Sequence, residues 1–358
     1  RNKHVPGFEW SMLLPILLYG IYVTSIIWTI NPELTHRGLG RTFTLFFIPL
    51  LIWAMPKITK SNRNFIFEIF TNVNCIYALV FLSTSLTTYF KTGSFSAMTY
   101  HDLVDVLELN AIYVSVYFLI SLVFLLNKKP KNRWDIFRML FLSGILLLLS
   151  SKMIITGAIL IFIIHAVFLS GIKEIFKPRV LIPVGIILAL FYFSGSKVIN
   201  RFLIEKNTDV NEVLTSPKFN RVYPWTGTSF RLLQLRILYE QVQEEDIFWK
   251  GFGLFASRDN LAIRHKEFNT YYGYHTYNYH NNYAQVFAES GIFGLLILLA
   301  MLFITFKKAI KTRDMLMGYF ALIFSMLFLT ESLMWVHRGL LFVVMIYSIL
   351  HRSSKTSV

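Results

Sequence analysis

A run of tyrosine, histidine and asparagine just before a long apolar segment is where chemistry is first expected in this sequence. Residues 271–283 read YYGYHTYNYHNNY and include two histidines, His275 and His280. Flat aromatic faces beside amide donors and acceptors suit sugar rings, so we predict sugar contacts for His275, Tyr279 and Asn281. Tyrosines at a water boundary are also ordinary membrane-interface anchors, and that alternative stays open.

The two histidines allow either proton transfer or metal binding. A histidine whose pKa lies near neutrality takes a proton from a hydroxyl group, as glycosyl or acyl transfer to an alcohol requires. Zinc needs three or four converging ligands, and no third ligand stands beside His275 and His280 in the sequence. The single cysteine, Cys75, lies inside an apolar segment. We therefore predict proton transfer, with no metal and no cofactor.

These residues end a long polar segment, 195–282, which is expected to be folded because structureless connections of that length are uncommon. After a turn at 227–229, four apolar residues recur at helical spacing: Leu232, Leu235, Tyr239 and Val242. The spacing predicts an amphipathic helix, capped by Thr228 or Ser229, with its apolar face on the membrane surface.

The rest of the chain is too apolar for a water-soluble fold. Of 358 residues, 55% are hydrophobic and 15% charged, whereas soluble domains carry roughly 25% charged residues. Several apolar runs reach the roughly 17 to 25 residues that a membrane-spanning helix needs. We predict spans at 11–30, 42–55, 65–90, 107–126, 136–150, 153–170, 180–194, 283–306, 315–332 and 333–350. The runs 42–55 and 180–194 are short for a perpendicular span, so each either extends into its flanks or is partly re-entrant.

The fold class that follows is an all-α polytopic membrane protein with about ten transmembrane helices. Residues 1–194 are expected to form the N-terminal helices, 195–282 the large outer loop with amphipathic helices, and 283–358 the C-terminal helices. The sequence begins at Arg1 rather than methionine, so we expect an upstream piece. An N-terminally truncated protein of about twelve helices is the alternative to ten.

Orientation follows from the basic residues, because cytoplasmic loops retain lysine and arginine. The formal net charge is +15. Basic clusters occur in alternate loops, at 57–63, 128–133, 173–179 and 307–313. The segment 195–282 is then on the opposite side, together with two exceptions to the pattern, Arg37 and Arg41. Basic residues do not form a stripe with interleaved aromatics, which argues against nucleic acid and for contact with membrane lipids.

One motif resembles the signature of the O-antigen ligase family. His280-Asn281 is followed, after nine residues, by Gly291-Ile-Phe-Gly294. The intervening Glu289-Ser290-Gly291 is similar to the Glu-x-Gly of that family at the start of a membrane helix. By motif the resemblance covers roughly 140 to 358, and by order of elements it covers the remainder.

Three further segments match the family in order. Thr228-Ser229-Phe230-Arg231 places an arginine on the predicted loop helix, and Gly251-Phe252-Gly253 precedes the histidine. Ser151-Lys152 stands where members commonly carry a Ser-Arg pair. Lysine keeps the positive charge but loses bidentate recognition of phosphate.

The resemblance implies a metal-independent, inverting glycosyltransferase of GT-C-like architecture in the bacterial inner membrane, with a periplasmic active site. Its donor would be an undecaprenyl-diphosphate-linked glycan, and its acceptor the lipid A–core of lipopolysaccharide. His280 would be the general base on the acceptor hydroxyl. Arg231 and Lys152 would stabilise the departing diphosphate, with Arg221 as a further substrate-binding residue and Asn281 orienting His280 or contacting sugar.

Two other functions remain open at this point. An O-antigen or polysaccharide polymerase would use the same lipid-linked donor, and a transporter or flippase would carry that donor across the membrane. Transporters tend to show paired interrupted helices and internal symmetry, neither of which is clear in the sequence. Glu331 and Arg338 flank a short outer turn or lie inside the last two spans, and a mutual or lipid-facing structural pair is expected of them. Gly291 and Gly294 are expected to permit close helix packing.

Overall fold

A computed structural model describes residues 9–167, 209–219 and 225–353. Within these ranges the chain is almost entirely helical, and no strand occurs. The predicted span at 180–194 and the predicted substrate contact Arg221 lie outside the described residues.

The α-helices alternate with short 3-10 turns and loops. In chain order they are α1 (Leu13–Thr24), α2 (Pro32–Thr42), α3 (Thr44–Ala54), α4 (Lys60–Thr92), α5 (Tyr100–Val104), α6 (Ala111–Asn127), α7 (Arg133–Leu148), α8 (Lys152–His165), α9 (Val210–Thr215), α10 (Gly227–Glu244), α11 (Ser257–Glu267), α12 (Asn282–Thr312), α13 (Met315–Leu327) and α14 (His337–Arg352).

Three helical segments in the described ranges are long and apolar enough to cross a membrane: Trp10–Ile27, Lys60–Thr92 and Asn282–Thr312. A fourth is added if Tyr100–Leu107 and Ala111–Asn127, which meet at a bend of 90°, form one span. The chain is therefore a helical membrane protein, as predicted. The predicted count of about ten is not confirmed. Helices α8 and α13 are apolar but only 14 and 13 residues long, shorter than a perpendicular span requires.

The chain divides into two compact units. The first contains residues 1–60, 204–312 and 324–358. In it α1 packs against α3 and α12, and α14 packs against α3. A buried apolar cluster joins the loop helices to the first turns of α12, and its members include Val213, Leu233, Ile237, Leu261, Phe268, Ala284 and Ala288. This cluster fixes the folded loop, which was predicted, onto the top of a membrane helix.

The second unit contains residues 61–203 and 313–323, and in it α6 packs against α7 and α8. Among its described residues, the buried Arg138 and Asp135 pair with each other and with the partly buried Glu68 and Lys128. Arg138 contacts Glu68 at 2.7 Å and also binds Asp135, while Lys128 lies 3.0 Å from Glu68 and 2.9 Å from Asp135. Part of the predicted inner basic cluster at 128–133 is thus neutralised within the protein, as burial of these charges requires.

Candidate active site

The loop helix α10 carries the first of the predicted catalytic residues. It runs from Gly227 to Glu244, so the predicted helix is confirmed. Its cap is Thr226, whose hydroxyl accepts a hydrogen bond from the Ser229 amide at 3.0 Å. The prediction of Thr228 or Ser229 as the cap was wrong, because threonine two residues earlier satisfies the free amides of the first turn.

The apolar face of α10 is rotated from the predicted one. Phe230, Leu233 and Ile237 are buried against the loop core. Leu235 and Tyr239, which were assigned to the apolar face, are 42% and 67% exposed. The reason is that the helix buries its apolar side inside the loop itself, whereas the spacing alone suggested a face turned to the membrane.

Arg231 projects from the first turn of α10 and is held at three points. Its Nε donates to the Thr330 carbonyl at 2.8 Å, its Nη1 donates to the Gly227 carbonyl at 3.1 Å, and its Nη2 lies 2.9 Å from a carboxylate oxygen of Glu331. The side chain remains 29% exposed. The guanidinium is therefore fixed in direction but still accessible to a ligand.

His280 stands at the start of α12 in a left-handed backbone conformation, with φ of 46°. Its amide donates to the side-chain oxygen of Asn278 at 2.9 Å. The imidazole packs edge-to-face against Phe230, with ring centroids 5.4 Å apart, and lies 5.3 Å from the Tyr277 ring. These contacts hold a half-exposed imidazole at the mouth of the helix, where a polar substrate has access.

Glu331 lies between Arg231 and His280 and contacts both. One of its oxygens meets Arg231 at 2.9 Å, and the other lies 3.7 Å from Nδ1 of His280. The Glu331 side chain is only 9% exposed. A carboxylate at this distance from Nδ1 favours the imidazole orientation in which Nε2 faces away from Glu331 and toward the open side. The arrangement supplies a base, a counter-ion and a cation in one place.

Sequence reasoning left Glu331 out of the catalytic residues and paired it with Arg338. Among the residues that the structure describes, its ionic partners are instead Arg231 and His280. The expected structural pair is therefore corrected. The signal that pointed to Glu331 was available, since a carboxylate in an apolar segment marks a functional or pairing site by default.

The turn that carries Glu331 is held by the two asparagines after His280. The Asn281 amide donates to the Ser332 hydroxyl at 3.2 Å, and its side chain donates to the Leu329 carbonyl at 3.2 Å. The side chain of Asn282 accepts from the Met334 amide at 2.9 Å. Asn281 is 8% exposed and also caps α12 through Ala284. A sugar contact by Asn281 stays a prediction, and its geometry favours positioning.

Tyr279 lies deeper in the loop than a sugar-facing residue needs to, whereas His275 is partly exposed. Tyr279 is fully buried, and its hydroxyl donates to Gln241 at 2.7 Å. Burial raises the pKa of Tyr279. The ring of His275 stacks 6.2 Å from that of His265. Substrate contact by His275 stays a prediction, as does that by Tyr279, which its burial does not favour.

His265 itself is a buried structural histidine. Its Nε2 meets the side-chain nitrogen of Gln234 at 3.1 Å, and its Nδ1 meets the Thr270 hydroxyl at 3.1 Å. Burial lowers the pKa of His265 to about 4. Within the described ranges no group of three or more His, Cys, Asp or Glu side chains is placed to hold a metal.

The other two predicted residues are located differently. Lys152 is the first residue of α8 and belongs to the second unit. Arg221 lies outside the described residues. The structure thus brings Arg231 and His280 together and adds Glu331, while the roles of Lys152 and Arg221 stay predictions.

The Gly251-Phe252-Gly253 segment contacts the segment that begins at Gly291, where helix α12 is broken. Gly291 has φ of 65° and ψ of −163° inside the helix. The loop at 248–253 supplies the backbone bonds there: Phe252 donates to the Ala288 carbonyl at 2.8 Å, Gly253 to that of Glu289 at 3.0 Å, and Phe248 accepts from Ile292 at 2.9 Å.

This break explains why glycine stands at 291. A Cβ on Gly291 would lie 2.3 Å from the Trp249 carbonyl carbon, in addition to the positive φ that favours glycine. The expectation that Gly291 permits packing of two helices is corrected, because the backbone that approaches it is a loop. Glu289, beside the break, is 2% exposed and accepts from Gln285 at 2.7 Å and from the Trp335 indole at 3.1 Å.

An apolar cavity of about 580 Å³ lies beside α1 and α12, away from the predicted catalytic residues. Its lining is almost wholly apolar, with Lys250 as its charged member. The lining residues are Ile21, Thr24, Trp28, Trp249, Lys250, Ser290, Phe293, Leu296, Ile297 and Ala300. Its volume is within the range of about 300 to 1,000 Å³ that small ligands occupy.

Comparison with known proteins gives one family. A family model described as O-antigen ligase matches residues 110–299. The matched range includes Lys152, Arg231 and His280, and it ends before Glu331. No curated protein matches the chain.

Proposed function

The chain belongs to the O-antigen ligase family, and from that premise we propose that it transfers a glycan from undecaprenyl diphosphate to the lipid A–core of lipopolysaccharide. The family makes it a membrane glycosyltransferase of the ligase or polymerase type. The observation that carries the proposal is Glu331 held between His280 and Arg231. We place the protein in the bacterial inner membrane, with this site at the periplasmic face.

His280 is the general base in the proposed reaction. Glu331 faces Nδ1, so Nε2 takes the proton from the acceptor hydroxyl. The acceptor oxygen forms a bond to the anomeric carbon of the donor sugar, and the bond from that carbon to the diphosphate oxygen breaks. Attack opposite the leaving group inverts the anomeric centre. The imidazolium that forms is stabilised by the Glu331 carboxylate.

Arg231 receives the charge that develops on the departing diphosphate. A guanidinium has five N–H donors, and three of those of Arg231 bind Thr330, Gly227 and Glu331 in the described part of the chain. The remaining two are the ones we assign to phosphate oxygens. Lys152 and Arg221 are proposed to contribute further positive charge, which in this scheme takes the place of a metal ion.

The lipid part of the donor needs an apolar path along the protein. The cavity between α1 and α12 is lined by apolar side chains with tryptophans Trp28 and Trp249 among them. Tryptophan is enriched at membrane interfaces. A cavity of this composition supports a lipid-linked substrate over a water-soluble sugar donor.

The first experiment reconstitutes the protein with undecaprenyl-diphosphate-linked glycan, lipid A–core and EDTA. Wild type is compared with His280→Ala and with a matched control, His36→Ala, whose exposed side chain bonds to the Pro32 carbonyl in its own helix. We expect transfer to lipid A–core that survives EDTA, disappears with His280→Ala and persists with His36→Ala.

Other outcomes separate the alternatives. Lengthened carrier-bound glycan in place of modified lipid A–core would show a polymerase. Movement of intact donor across the vesicle membrane, without a new glycosidic bond, would show a transporter or flippase. Loss of transfer with EDTA and its return with a divalent cation would overturn the metal-independent mechanism.

A further inference from the structure

Two basic residues meet at the end of α2 and the start of α14. His337, the first residue of α14, lies with Nδ1 2.8 Å from the Arg41 carbonyl. A carbonyl only accepts hydrogen bonds, so Nδ1 of His337 carries the proton. Arg338 follows directly in the chain, about 3.8 Å further by Cα. The side chains of Arg41, His337 and Arg338 are all exposed.

Arg41 and Arg338 have no acidic partner among the residues that the structure describes, whereas Arg37, one turn earlier on α2, lies 2.6 Å from Glu33. Arg41 also departs from the predicted charge pattern. It lies on the predicted outer side of the membrane, where short connecting segments carry fewer arginines than on the cytoplasmic side. Both arginines flank the contact between His337 and the Arg41 carbonyl. The excess positive charge at this junction of α2 and α14 favours an anionic ligand.

A short path of contacts leads from Arg41 to Trp335, in the segment that follows Glu331. The Arg41 guanidinium carbon lies 5.7 Å from the centroid of the Phe255 ring, and Phe255 stacks on Trp335 at 4.9 Å. Trp335 is four residues after Glu331. Arg338 is seven residues after Glu331, so the two are at most about 25 Å apart.

We infer that Arg41 and Arg338, with His337 beside them, form a binding site for phosphate groups on the acceptor lipid. The inference rests on the proposed function and adds to it the chemical class of the group that anchors the acceptor. Arginine binds phosphate in a two-point geometry with charge-assisted hydrogen bonds. A phosphate held here positions the acceptor sugar at His280 from a distance, and such remote binding assists the reaction by orientation.

The test compares Arg41→Gln, Arg338→Gln and the double variant with the matched control Arg37→Gln, whose charge is already paired with Glu33. Initial transfer rates are measured against acceptor concentration at saturating donor. Each substitution at Arg41 or Arg338 is expected to raise the KM for the acceptor about tenfold, since hydrogen bonds to charged groups are the stronger ones. The KM for the donor and the rate at saturating acceptor stay within about twofold.

A second arm identifies the phosphate. Enzymatically dephosphorylated lipid A–core is expected to raise the acceptor KM of wild type to that of the double variant and to leave the double variant unchanged. If the arginines instead matter only in vesicles with anionic phospholipid, and not with neutral phospholipid, the ligand is a membrane phospholipid and the inference is overturned. An unchanged acceptor KM in the double variant also overturns it.

Binding without transfer keeps the two proposals distinguishable. Retention of phosphorylated lipid A–core by the purified protein is measured by native mass spectrometry in the absence of donor. We expect retention by wild type and Arg37→Gln and its loss in the double variant. Retention without any transfer by wild type would overturn the proposed function and leave the phosphate site standing.

Discussion

Glu331 determines how His280 and Arg231 act together. Its two oxygens contact the imidazole and the guanidinium separately, at 3.7 Å and 2.9 Å. A buried carboxylate needs compensating positive charge, which Arg231 supplies at all times and His280 supplies once it is protonated. The carboxylate therefore favours the state of His280 that exists after it has taken the acceptor proton.

Replacing this carboxylate tests that role. Glu331→Gln keeps the size of the side chain and removes its charge, so we expect the rate of transfer at saturating substrates to fall about 10²- to 10⁴-fold, as for loss of acid–base assistance. The expected readout is single-turnover transfer with radiolabelled donor. Glu33→Gln, an exposed carboxylate on α2, is the control and should keep wild-type activity. A rate for Glu331→Gln within about twofold of wild type would remove Glu331 from the mechanism.

The sequence predicted part of this site because part of its signal is local. His280 and Arg231 stand in short segments whose residue types and helix capping pattern are visible along the chain. Glu331 contacts Arg231 across a separation of 100 residues, and hydropathy alone does not show which distant charge pairs with it. For the same reason the buried hydroxyl bond of Tyr279 to Gln241 was not foreseen.

At the scale of elements, the break in α12 connects the loop to the membrane helix. The loop at 248–253 replaces hydrogen bonds that an unbroken helix would make around Gly291. Glu289 then bonds to Trp335 in the turn after Glu331. The Gly-Phe-Gly and Glu-Ser-Gly segments therefore contact each other at the break in α12. Through the bond from Trp335 to Glu289, they also connect the helix that follows His280 to the segment that follows Glu331.

A side chain at Gly291 should disrupt this contact. In Gly291→Ala the new Cβ would meet the Trp249 carbonyl carbon at 2.3 Å in a backbone with φ of 65°. We expect a loss of roughly 2 to 4 kcal/mol in folded stability from overpacking together with strain. Thermal unfolding of the purified protein in detergent measures it.

A matched glycine serves as the control for that experiment. Gly20 lies inside α1, and a Cβ there would meet no heavy atom within 4 Å among the described residues, apart from its own stretch of helix. Gly20→Ala should leave stability unchanged or raise it by about 0.5 to 1 kcal/mol through helix propensity. Equal melting temperatures for Gly291→Ala and Gly20→Ala would show that the loop does not depend on close approach at the break.

For the whole molecule, composition predicted the class of fold better than the number of crossings. The apolar content required membrane helices, and Asn282–Thr312 and Lys60–Thr92 are long enough to span. The count of about ten came from apolar runs alone, which do not show where a helix ends. Helix α3, with Pro49 inside it, has 11 residues, and the run 42–55 that predicted it is itself short for a perpendicular span.

Orientation is the property of the whole molecule on which the periplasmic site depends. The distribution of basic residues predicts that the loop with His280 lies outside and the 128–133 segment inside. Cysteine labelling tests this in a Cys75→Ser background, since Cys75 is the chain's single thiol. Tyr272→Cys, at a position 73% exposed on the loop, and Lys129→Cys, at an exposed position before α7, provide the two reporters.

We expect a membrane-impermeant maleimide to label the Tyr272→Cys variant in intact spheroplasts and the Lys129→Cys variant only after the membrane is permeabilised. Each lysine or arginine in a short loop favours the cytoplasmic side for that loop, and the three lysines and one arginine of 128–133 therefore all favour a cytoplasmic position. Label on Lys129→Cys alone in intact spheroplasts would place the His280 loop in the cytoplasm. A lipopolysaccharide acceptor on the outer leaflet would then be out of reach, and transfer to a cytoplasmic lipid-linked acceptor would replace the proposed reaction.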